Sequence, residues 1–154
     1  MSDPTTPPPP EADLLLSTLQ QGFGYDGFRP GQREVVEALL EGRDCLAVLP
    51  TGAGKSLCFQ LPALVRQGVV VVISPLVALM QDQVTQLSRR GIPAACMHGG
   101  LNPNERRRLQ ERLERRELRL LYLAPERLQG EACRRLLEDL IDQGQLVALA
   151  VDEA

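Results

Sequence analysis

The stretch Leu49-Pro50-Thr51-Gly52-Ala53-Gly54-Lys55-Ser56 lies between a short apolar run and a segment with helical spacing. Glycines in such a turn let successive backbone N–H groups converge on phosphate oxygens, and the N-terminus of the following helix adds the positive end of its dipole. Lys55 supplies a compact positive charge for the phosphates, and Ser56 supplies a hydroxyl for Mg²⁺. Leu49 stands where the general eight-residue pattern has glycine, so the strict pattern is not met. The stretch still predicts a phosphate-binding loop whose nucleotide-binding residues are Thr51, Gly52, Ala53, Gly54, Lys55 and Ser56.

On both sides of this loop, apolar runs alternate with segments of helical spacing. Strands are predicted at 45–49, 69–74, 94–97, 118–123 and 146–151. Helices are predicted at 13–21, 31–41, 76–89 and 131–143, with further helices after the loop and after Asn102. Pro62 is expected to disturb the helix after the loop beyond Gln60, because proline lacks the N–H that a helix interior needs. The alternation predicts an α/β fold in which a parallel sheet is covered by helices on both faces.

The segment after Asn102 combines a helix start with a cluster of arginines. Asn102 suits a helix cap, and Glu105 follows three residues later. Residues 105–119 hold seven Arg and four Glu. Because Leu109 and Leu113 are one turn apart, this composition favours the solvated face of an amphipathic helix over a nucleic-acid site. The net charge of the chain is −3, so any contact with nucleic acid must be local.

The bulk composition excludes several classes of protein. The chain has 154 residues, 44% of them apolar, which suits one globular domain. No apolar run approaches the ~18 residues that a membrane-spanning helix needs, and the N-terminus lacks the apolar segment of a signal peptide, so we expect a cytoplasmic protein with no membrane contact. Residues 1–10 are rich in proline and are predicted to be a disordered tail. The cysteines are far apart in the sequence, which favours buried, reduced thiols over a zinc site; they are Cys45, Cys58, Cys96 and Cys133.

Two adjacent carboxylates follow the last predicted strand, in the sequence Val151-Asp152-Glu153-Ala154. Open α/β sheets bind ligands at the edge where their strands end, so these side chains complete the predicted nucleotide site. Asp152 is predicted to hold Mg²⁺ together with Ser56, and Glu153 to orient and deprotonate the attacking water. Lys55 and Glu153 are therefore the predicted catalytic residues. Because the sequence stops directly after this strand, we expect the chain to be a fragment.

An aromatic block precedes the loop, running from Phe23 to Gln32. The ring of Tyr25 can stack on a base, Arg29 offers a guanidinium, and the amide of Gln32 can pair with the N6 and N7 edge of adenine. The block therefore predicts recognition of ATP through its base. The alternative is a hydrophobic plug, to which Phe23 and Phe28 are expected to belong in either case.

Taken together, these blocks resemble the ordered motifs of the RecQ family of ATP-dependent DNA helicases. The resemblance is carried by 23–32, 51–56, 74–83, 122–128 and 152–154. It implies a RecA-like P-loop domain, truncated after the Walker B strand, in which residues 11–154 are the first, incomplete helicase lobe. A second lobe with its arginine finger, and any zinc or winged-helix domain, are absent from the sequence.

The same resemblance implies the activity and the partners. It implies that the chain binds MgATP and that Tyr25, Arg29 and Gln32 recognise the adenine. It also implies 3′-to-5′ translocation that couples ATP hydrolysis to DNA unwinding in repair and recombination. Single-stranded and partially duplex DNA is the expected partner, contacted near 74–76 and 125–127. Without the second lobe in cis, the fragment is expected to be nearly inactive.

Two alternatives remain open from the sequence. A DEAD-box-like RNA helicase lobe shares the phosphate-binding loop, the carboxylate pair and an upstream glutamine. A non-catalytic module that binds ATP only as a switch requires the same loop, although the intact Lys55, Asp152 and Glu153 speak against it.

Overall fold

The computed structural model describes residues 10–50, 54–99 and 102–153. Within these ranges the α-helices are α1 (Pro10–Phe23), α2 (Gln32–Leu40), α3 (Lys55–Arg66), α4 (Val77–Arg89), α5 (Pro103–Glu114) and α6 (Glu131–Asp142). The strands are β1 (Val69–Ile73), β2 (Ala94–Met97), β3 (Leu120–Leu123) and β4 (Leu146–Val151), and a 3₁₀ turn at Pro125–Gln129 follows β3. Helix and strand alternate from α3 onward, as predicted.

The described strands form one parallel sheet in the order β2-β3-β1-β4. Val71 of β1 lies opposite Leu121 of β3 on one side and Leu149 of β4 on the other. At the far side of the sheet, Cys96 of β2 lies opposite Tyr122 of β3. Because all the strands are parallel, their carboxyl ends meet at one edge, where the loops that carry polar side chains emerge.

Helices cover both faces of the sheet. Val70, Val72 and Tyr122 pack with apolar residues of α1 to α4. The alternate side chains of the same strands, including Val71 and Leu121, pack with those of α5 and α6. All of β1 is buried, which explains its unbroken run of Val and Ile: a strand covered on both faces has no solvent side. The predicted α/β fold with a doubly covered parallel sheet is confirmed.

The predicted strand at 45–49 is wrong. Residues 43–50 have no regular secondary structure, and the side chains of Leu46 and Val48 are each 87% exposed. A strand needs backbone hydrogen bonds to a neighbouring strand. Within the described residues, β4 is an edge strand of the sheet, but residues 44–50 make no backbone hydrogen bonds to it. The segment and the end of β4 instead line a shared cavity of about 360 Å³. The apolar pattern shows that a segment is suited to a sheet, but it does not show whether the segment pairs with a neighbouring strand.

Pro62 does not end α3, which continues to Arg66. The expected disturbance is overcome because the neighbouring residues Leu61 and Ala63 are fully buried in the core. Most helical stability in proteins comes from such packing, which here outweighs the one backbone hydrogen bond that proline cannot make.

The helix start at Asn102 is confirmed in detail. The Asn102 side chain accepts a hydrogen bond from the Glu105 N–H at 2.9 Å, and the Glu105 carboxylate accepts one from the Asn102 N–H at 3.2 Å. This reciprocal capping box satisfies two backbone donors that the first turn of a helix leaves unpaired.

Other predictions have mixed outcomes. Cys58 and Cys133 are buried free thiols as expected, but Cys45 is exposed and Cys96 is only partly covered. The predicted disordered tail at 1–10 lies outside the described residues, except that α1 already begins at Pro10. Among the described helices, none is both long and apolar enough to cross a membrane.

Candidate nucleotide-binding site

The start of α3 is held in place by Gln32, the first residue of α2. Gly54 caps this helix with φ 72°, a left-handed conformation that glycine adopts without steric cost. The Gln32 side-chain N–H group donates to the Gly54 carbonyl at 3.1 Å. A Cβ on Gly54 would lie 2.5 Å from that same nitrogen, so any larger residue would force the Gln32 side chain to move. The predicted phosphate contacts of Thr51, Gly52 and Ala53 lie outside the described residues.

A cavity of about 510 Å³ opens beside this helix start. Its lining includes the three residues predicted to recognise adenine and two of the predicted phosphate and metal residues; they are Tyr25, Arg29, Gln32, Lys55 and Ser56. The fold thus brings the aromatic block and the start of α3, which are separated by at least 23 positions in the sequence, to one concave surface. Concave sites with a few convergent polar groups are the usual form of a small-molecule pocket.

Gln32 is the most buried member of this set, at 3% exposure. Its amide oxygen accepts a hydrogen bond from the Arg29 N–H at 2.8 Å, while its amide nitrogen donates to Gly54. Both polar groups of the amide therefore already have protein partners, and they connect the aromatic block to Gly54 at the start of α3. The two-point pairing of Gln32 with adenine stays a prediction, as does stacking of a base on Tyr25, whose side chain is 48% exposed.

The alternative interpretation of the aromatic block fits two of its rings. Phe23 is buried in the core, and the Arg90 guanidinium lies 5.8 Å from its ring centroid while donating to the Phe23 carbonyl at 2.8 Å. Phe28 is partly buried against the same core, with the Arg33 guanidinium 5.9 Å from its ring. These two rings are structural, so Tyr25 is the ring of the block that is available to a ligand.

The two carboxylates lie where β4 ends. The Asp152 N–H donates to the Ile73 carbonyl at 2.9 Å and completes the pairing of β4 with β1. Glu153 adopts a positive φ of 59° and donates its N–H to the Asp152 carboxylate at 3.1 Å. This turn brings the Glu153 carboxylate to 3.9 Å from the Lys55 ammonium, with both side chains more than 40% exposed. The fold therefore joins the loop and the carboxylates, which are nearly 100 residues apart.

These side chains are suited to magnesium rather than to a metal held by protein alone. Mg²⁺ prefers oxygen ligands and keeps several waters, so that one or two side chains and the phosphates of a nucleotide complete its shell. Ser56 and Asp152 offer such oxygens. Within 10–50, 54–99 and 102–153, no cluster of three or more His, Cys, Asp or Glu side chains is present that could hold a metal ion unaided.

The segments expected to contact DNA follow β1 and β3 at the same edge of the sheet. Ser74 is buried, and its hydroxyl accepts a long hydrogen bond of 3.5 Å from the Leu76 N–H, while Leu76 itself is 53% exposed. Arg127 donates to the His98 carbonyl at 2.6 Å. His98 directly follows β2, and this hydrogen bond links the end of that strand to the turn after β3. The DNA contacts themselves stay a prediction.

Sequence reasoning gave no role to two glutamines near the cavity. Gln60 donates to the Tyr122 hydroxyl at 3.1 Å inside the core. Burial raises the pKa of Tyr122 to about 12, an effect that the Gln60 hydrogen bond reduces and the Asp152 charge increases. Gln83 of α4 donates to the Ser56 hydroxyl at 3.3 Å. It falls within the block at 74–83 that carries the family resemblance, but no spacing rule connects it to a serine 27 residues away.

Comparison with known proteins identifies the family. The family model for the DEAD/DEAH box helicase matches residues 29–154. The ATP-dependent DNA helicase RecQ of Synechocystis is 50% identical over 140 residues, which are 91% of this chain and 29% of that protein. The RecQ helicase of Haemophilus influenzae is 42% identical over 144 residues, 94% of this chain and 23% of that protein. The chain therefore spans less than a third of the length of these relatives.

A solved structure supports the fold. The crystal structure of the DUF1998 helicase MrfA bound to DNA superposes with a TM-score of 0.63 and 22% identity, covering 84% of this chain and 20% of that one. The relatives are named DNA helicases, so a DEAD-box-like RNA helicase is not favoured. The chain belongs to the DEAD/DEAH box helicase family, and it is similar in sequence to the RecQ DNA helicases.

Proposed function

We propose that this chain is the ATP-binding lobe of a RecQ-like, ATP-dependent 3′-to-5′ DNA helicase. The observation that carries the proposal is the position of Lys55, whose ammonium lies 3.9 Å from the Glu153 carboxylate. Lys55 also lines the cavity that Tyr25, Arg29 and Gln32 line. A phosphate-binding lysine beside a carboxylate at the end of a parallel strand is the arrangement that hydrolysis of a nucleoside triphosphate requires.

The side chains divide the work by their chemistry. Lys55 and the N-terminus of α3 bind the negative phosphate oxygens. Ser56 and Asp152 would hold the Mg²⁺ that accompanies ATP, and the ion would supply positive charge to offset the charge that develops on the phosphates. Glu153 orients the attacking water and accepts its proton. Tyr25, Arg29 and Gln32 recognise the adenine and position the base end of the nucleotide.

The DNA partner and the second lobe belong to the same proposal. Because the RecQ relatives are much longer than this chain, we infer that efficient turnover needs a second lobe in cis that supplies an arginine to the transition state. In related phosphoryl transfers such an arginine increases the rate by roughly 10³ to 10⁵. Single-stranded and partially duplex DNA is the proposed substrate, contacted near 74–76 and 125–127, and unwinding in repair and recombination is the proposed role.

Nucleotide binding by the chain itself tests the first part. Fluorescence titration with a methylanthraniloyl derivative of ATP, in the presence of Mg²⁺, should give weak but saturable binding. Lys55→Ala should weaken this binding by at least about tenfold, because the ammonium proposed to bind the phosphates is removed. Arg66→Ala, at the far end of α3, is the matched control and should bind like the unaltered chain.

Hydrolysis tests the second part and separates an enzyme from a switch. The 154-residue chain should hydrolyse ATP very slowly, and vigorous DNA-stimulated hydrolysis by it would contradict the need for a second lobe. In a longer protein containing both lobes, Glu153→Gln should abolish turnover while ATP binding is kept. A switch module would show no change in either quantity.

A further inference from the structure

Gln83 reaches the proposed metal site from a different helix. It lies on α4, and its side-chain nitrogen donates to the Ser56 hydroxyl at the start of α3, 3.3 Å away. Gln83 is partly buried, and it lines the same cavity as Lys55 and Ser56. The contact therefore joins the helix that follows β1 to the serine proposed to bind Mg²⁺.

The other end of the same amide has no such partner. The Gln83 side-chain oxygen is buried, and no residue in the described part of the chain donates a hydrogen bond to it. Burying an unpaired acceptor costs about 1–3 kcal/mol, so an apolar side chain of similar length would suit this position better for stability alone. A polar group kept at such a cost calls for an explanation other than stability.

The chemistry of the serine hydroxyl supplies that explanation. A hydroxyl has one hydrogen to donate and two lone pairs to accept or to bind a cation. The Gln83 N–H occupies one lone pair of the Ser56 hydroxyl oxygen. It thereby restricts rotation of the Ser56 side chain about its Cα–Cβ bond. The second lone pair is then left for a cation, and the hydroxyl hydrogen for a phosphate oxygen.

We propose that Gln83 is a positioning residue for magnesium, which holds the Ser56 hydroxyl in the orientation that binds the ion accompanying ATP. This inference rests on the proposed function, because it requires MgATP in this cavity. It assigns a positioning role to a residue of α4, which acts through its hydrogen bond to Ser56.

The test measures how nucleotide affinity depends on Mg²⁺. The methylanthraniloyl derivative of ATP is titrated against the full chain at a series of Mg²⁺ concentrations and in EDTA. Gln83→Met keeps the length of the side chain and removes the donor. It should raise the Mg²⁺ concentration for half-maximal tightening by about two- to tenfold, the equivalent of one hydrogen bond. Affinity in EDTA should stay within about twofold of the unaltered chain.

Two controls separate positioning from packing. Gln110→Met places the same substitution at an exposed position on α5, on the other face of the sheet, and should leave the Mg²⁺ dependence unchanged. In a chain that already carries Ser56→Ala, Gln83→Met should have no further effect on the Mg²⁺ dependence, because the group through which it acts is gone. The thermal midpoint of Gln83→Met without nucleotide should be unchanged or higher.

The outcomes distinguish a failure of the role proposed for Gln83 from a failure of the proposed function. An unchanged Mg²⁺ dependence in Gln83→Met, or an equal loss of affinity in EDTA and in Mg²⁺, overturns the role of Gln83 and leaves the nucleotide site standing. An additive loss in the Ser56→Ala background also overturns it, since Gln83 then acts by another route. Absence of Mg²⁺-dependent binding in the unaltered chain refutes the proposed function itself.

Discussion

The centre of the sheet and its β4 edge are built from similar apolar residues but differ in how far those residues are buried. β1 and β3 are paired on both sides and buried on both faces, with Val71 and Leu121 completely covered. β4 has the equally apolar sequence Leu-Val-Ala-Leu-Ala-Val, yet Leu149 is 50% and Val151 is 61% exposed. In the described residues β4 pairs only with β1.

The comparison shows that an apolar run predicts a strand but not its burial. The neighbours of a strand decide how much surface it removes from water, and burial of apolar surface is the main source of stability. The residues of the candidate site also differ in how far they are buried. Gln32 and Gly54 sit in a hydrogen-bonded, well-packed half of the site, whereas Lys55 and Glu153 meet at a more exposed edge.

The largest expected effect comes from truncating one leucine in each region. Leu121→Ala should lower the free energy of unfolding by about 2–5 kcal/mol, because it leaves a cavity in the fully packed centre. Leu149→Ala, the same substitution in β4, should cost less than about 1 kcal/mol, since half of its surface is already in water. Urea unfolding followed by circular dichroism measures both values. Equal losses would mean that β4 is packed as tightly as β3.

A second test compares two glycines with similar backbone angles. Gly54 has φ 72° and Gly42 has φ 75°, but only a Cβ on Gly54 meets another atom, the Gln32 amide nitrogen. Gly42→Ala should cost about 1–2 kcal/mol for the left-handed conformation alone. Gly54→Ala should cost about 1–2 kcal/mol more, because Gln32 must also give up buried hydrogen bonds. Unfolding curves for both variants provide the measurement, and identical losses would contradict the tight packing at Gln32.

The buried centre should also respond to alkaline pH. The pKa of Tyr122 is raised from 10.0 to about 12, so the folded chain holds this proton more tightly than the unfolded chain. The stability this provides is complete below pH 10 and is lost as the pH rises toward 12, a decrease of about 2–3 kcal/mol. Tyr122→Phe should remove this part of the decrease. Tyr25→Phe, at a half-exposed ring, should follow the unaltered chain when urea unfolding is repeated across this pH range.

The smallest effect is expected at the exposed edge. Glu153→Gln removes an ion pair with Lys55 that is long, at 3.9 Å, and open to solvent on both sides. Such pairs contribute about 0–1 kcal/mol, so the free energy of unfolding should change by less than about 0.5 kcal/mol. The same substitution is expected to abolish turnover in a two-lobed protein. A loss of several kcal/mol in calorimetry would show that Glu153 is a structural residue, and its proposed catalytic role would then need separate evidence.

Much of the fold could be predicted because its signals are local. The bounds of β2 and β4 agree with the predicted ranges, and the helix start at Asn102 forms the predicted capping box. The prediction failed where a distant part of the chain decides the outcome. Residues 45–49 have the composition of a strand but do not pair with the adjacent edge of β4, and α3 passes Pro62 because its neighbours are buried.

In the candidate site, too, some residues could be predicted from the local sequence and others could not. Lys55 and the carboxylate pair stand out from the sequence, since a flexible point charge after glycines and two acids after a strand each have a chemical reason to be there. Gln83 does not stand out, because its contact with Ser56 joins two helices across 27 residues. Nor does the sequence reveal that the Gln32 amide is already engaged by Arg29 and Gly54.

By itself, the sequence determined the kind of chemistry and the order of the elements. The only lysine of the chain falls in the predicted phosphate-binding loop, and hydrophobic periodicity distinguishes strand from helix because backbone geometry fixes which side chains share a face. Only the tertiary structure decided which strand gains two neighbours, which amide is engaged and which glutamine holds the serine. These outcomes depend on contacts between segments far apart in the chain, and a local sequence pattern does not predict such contacts.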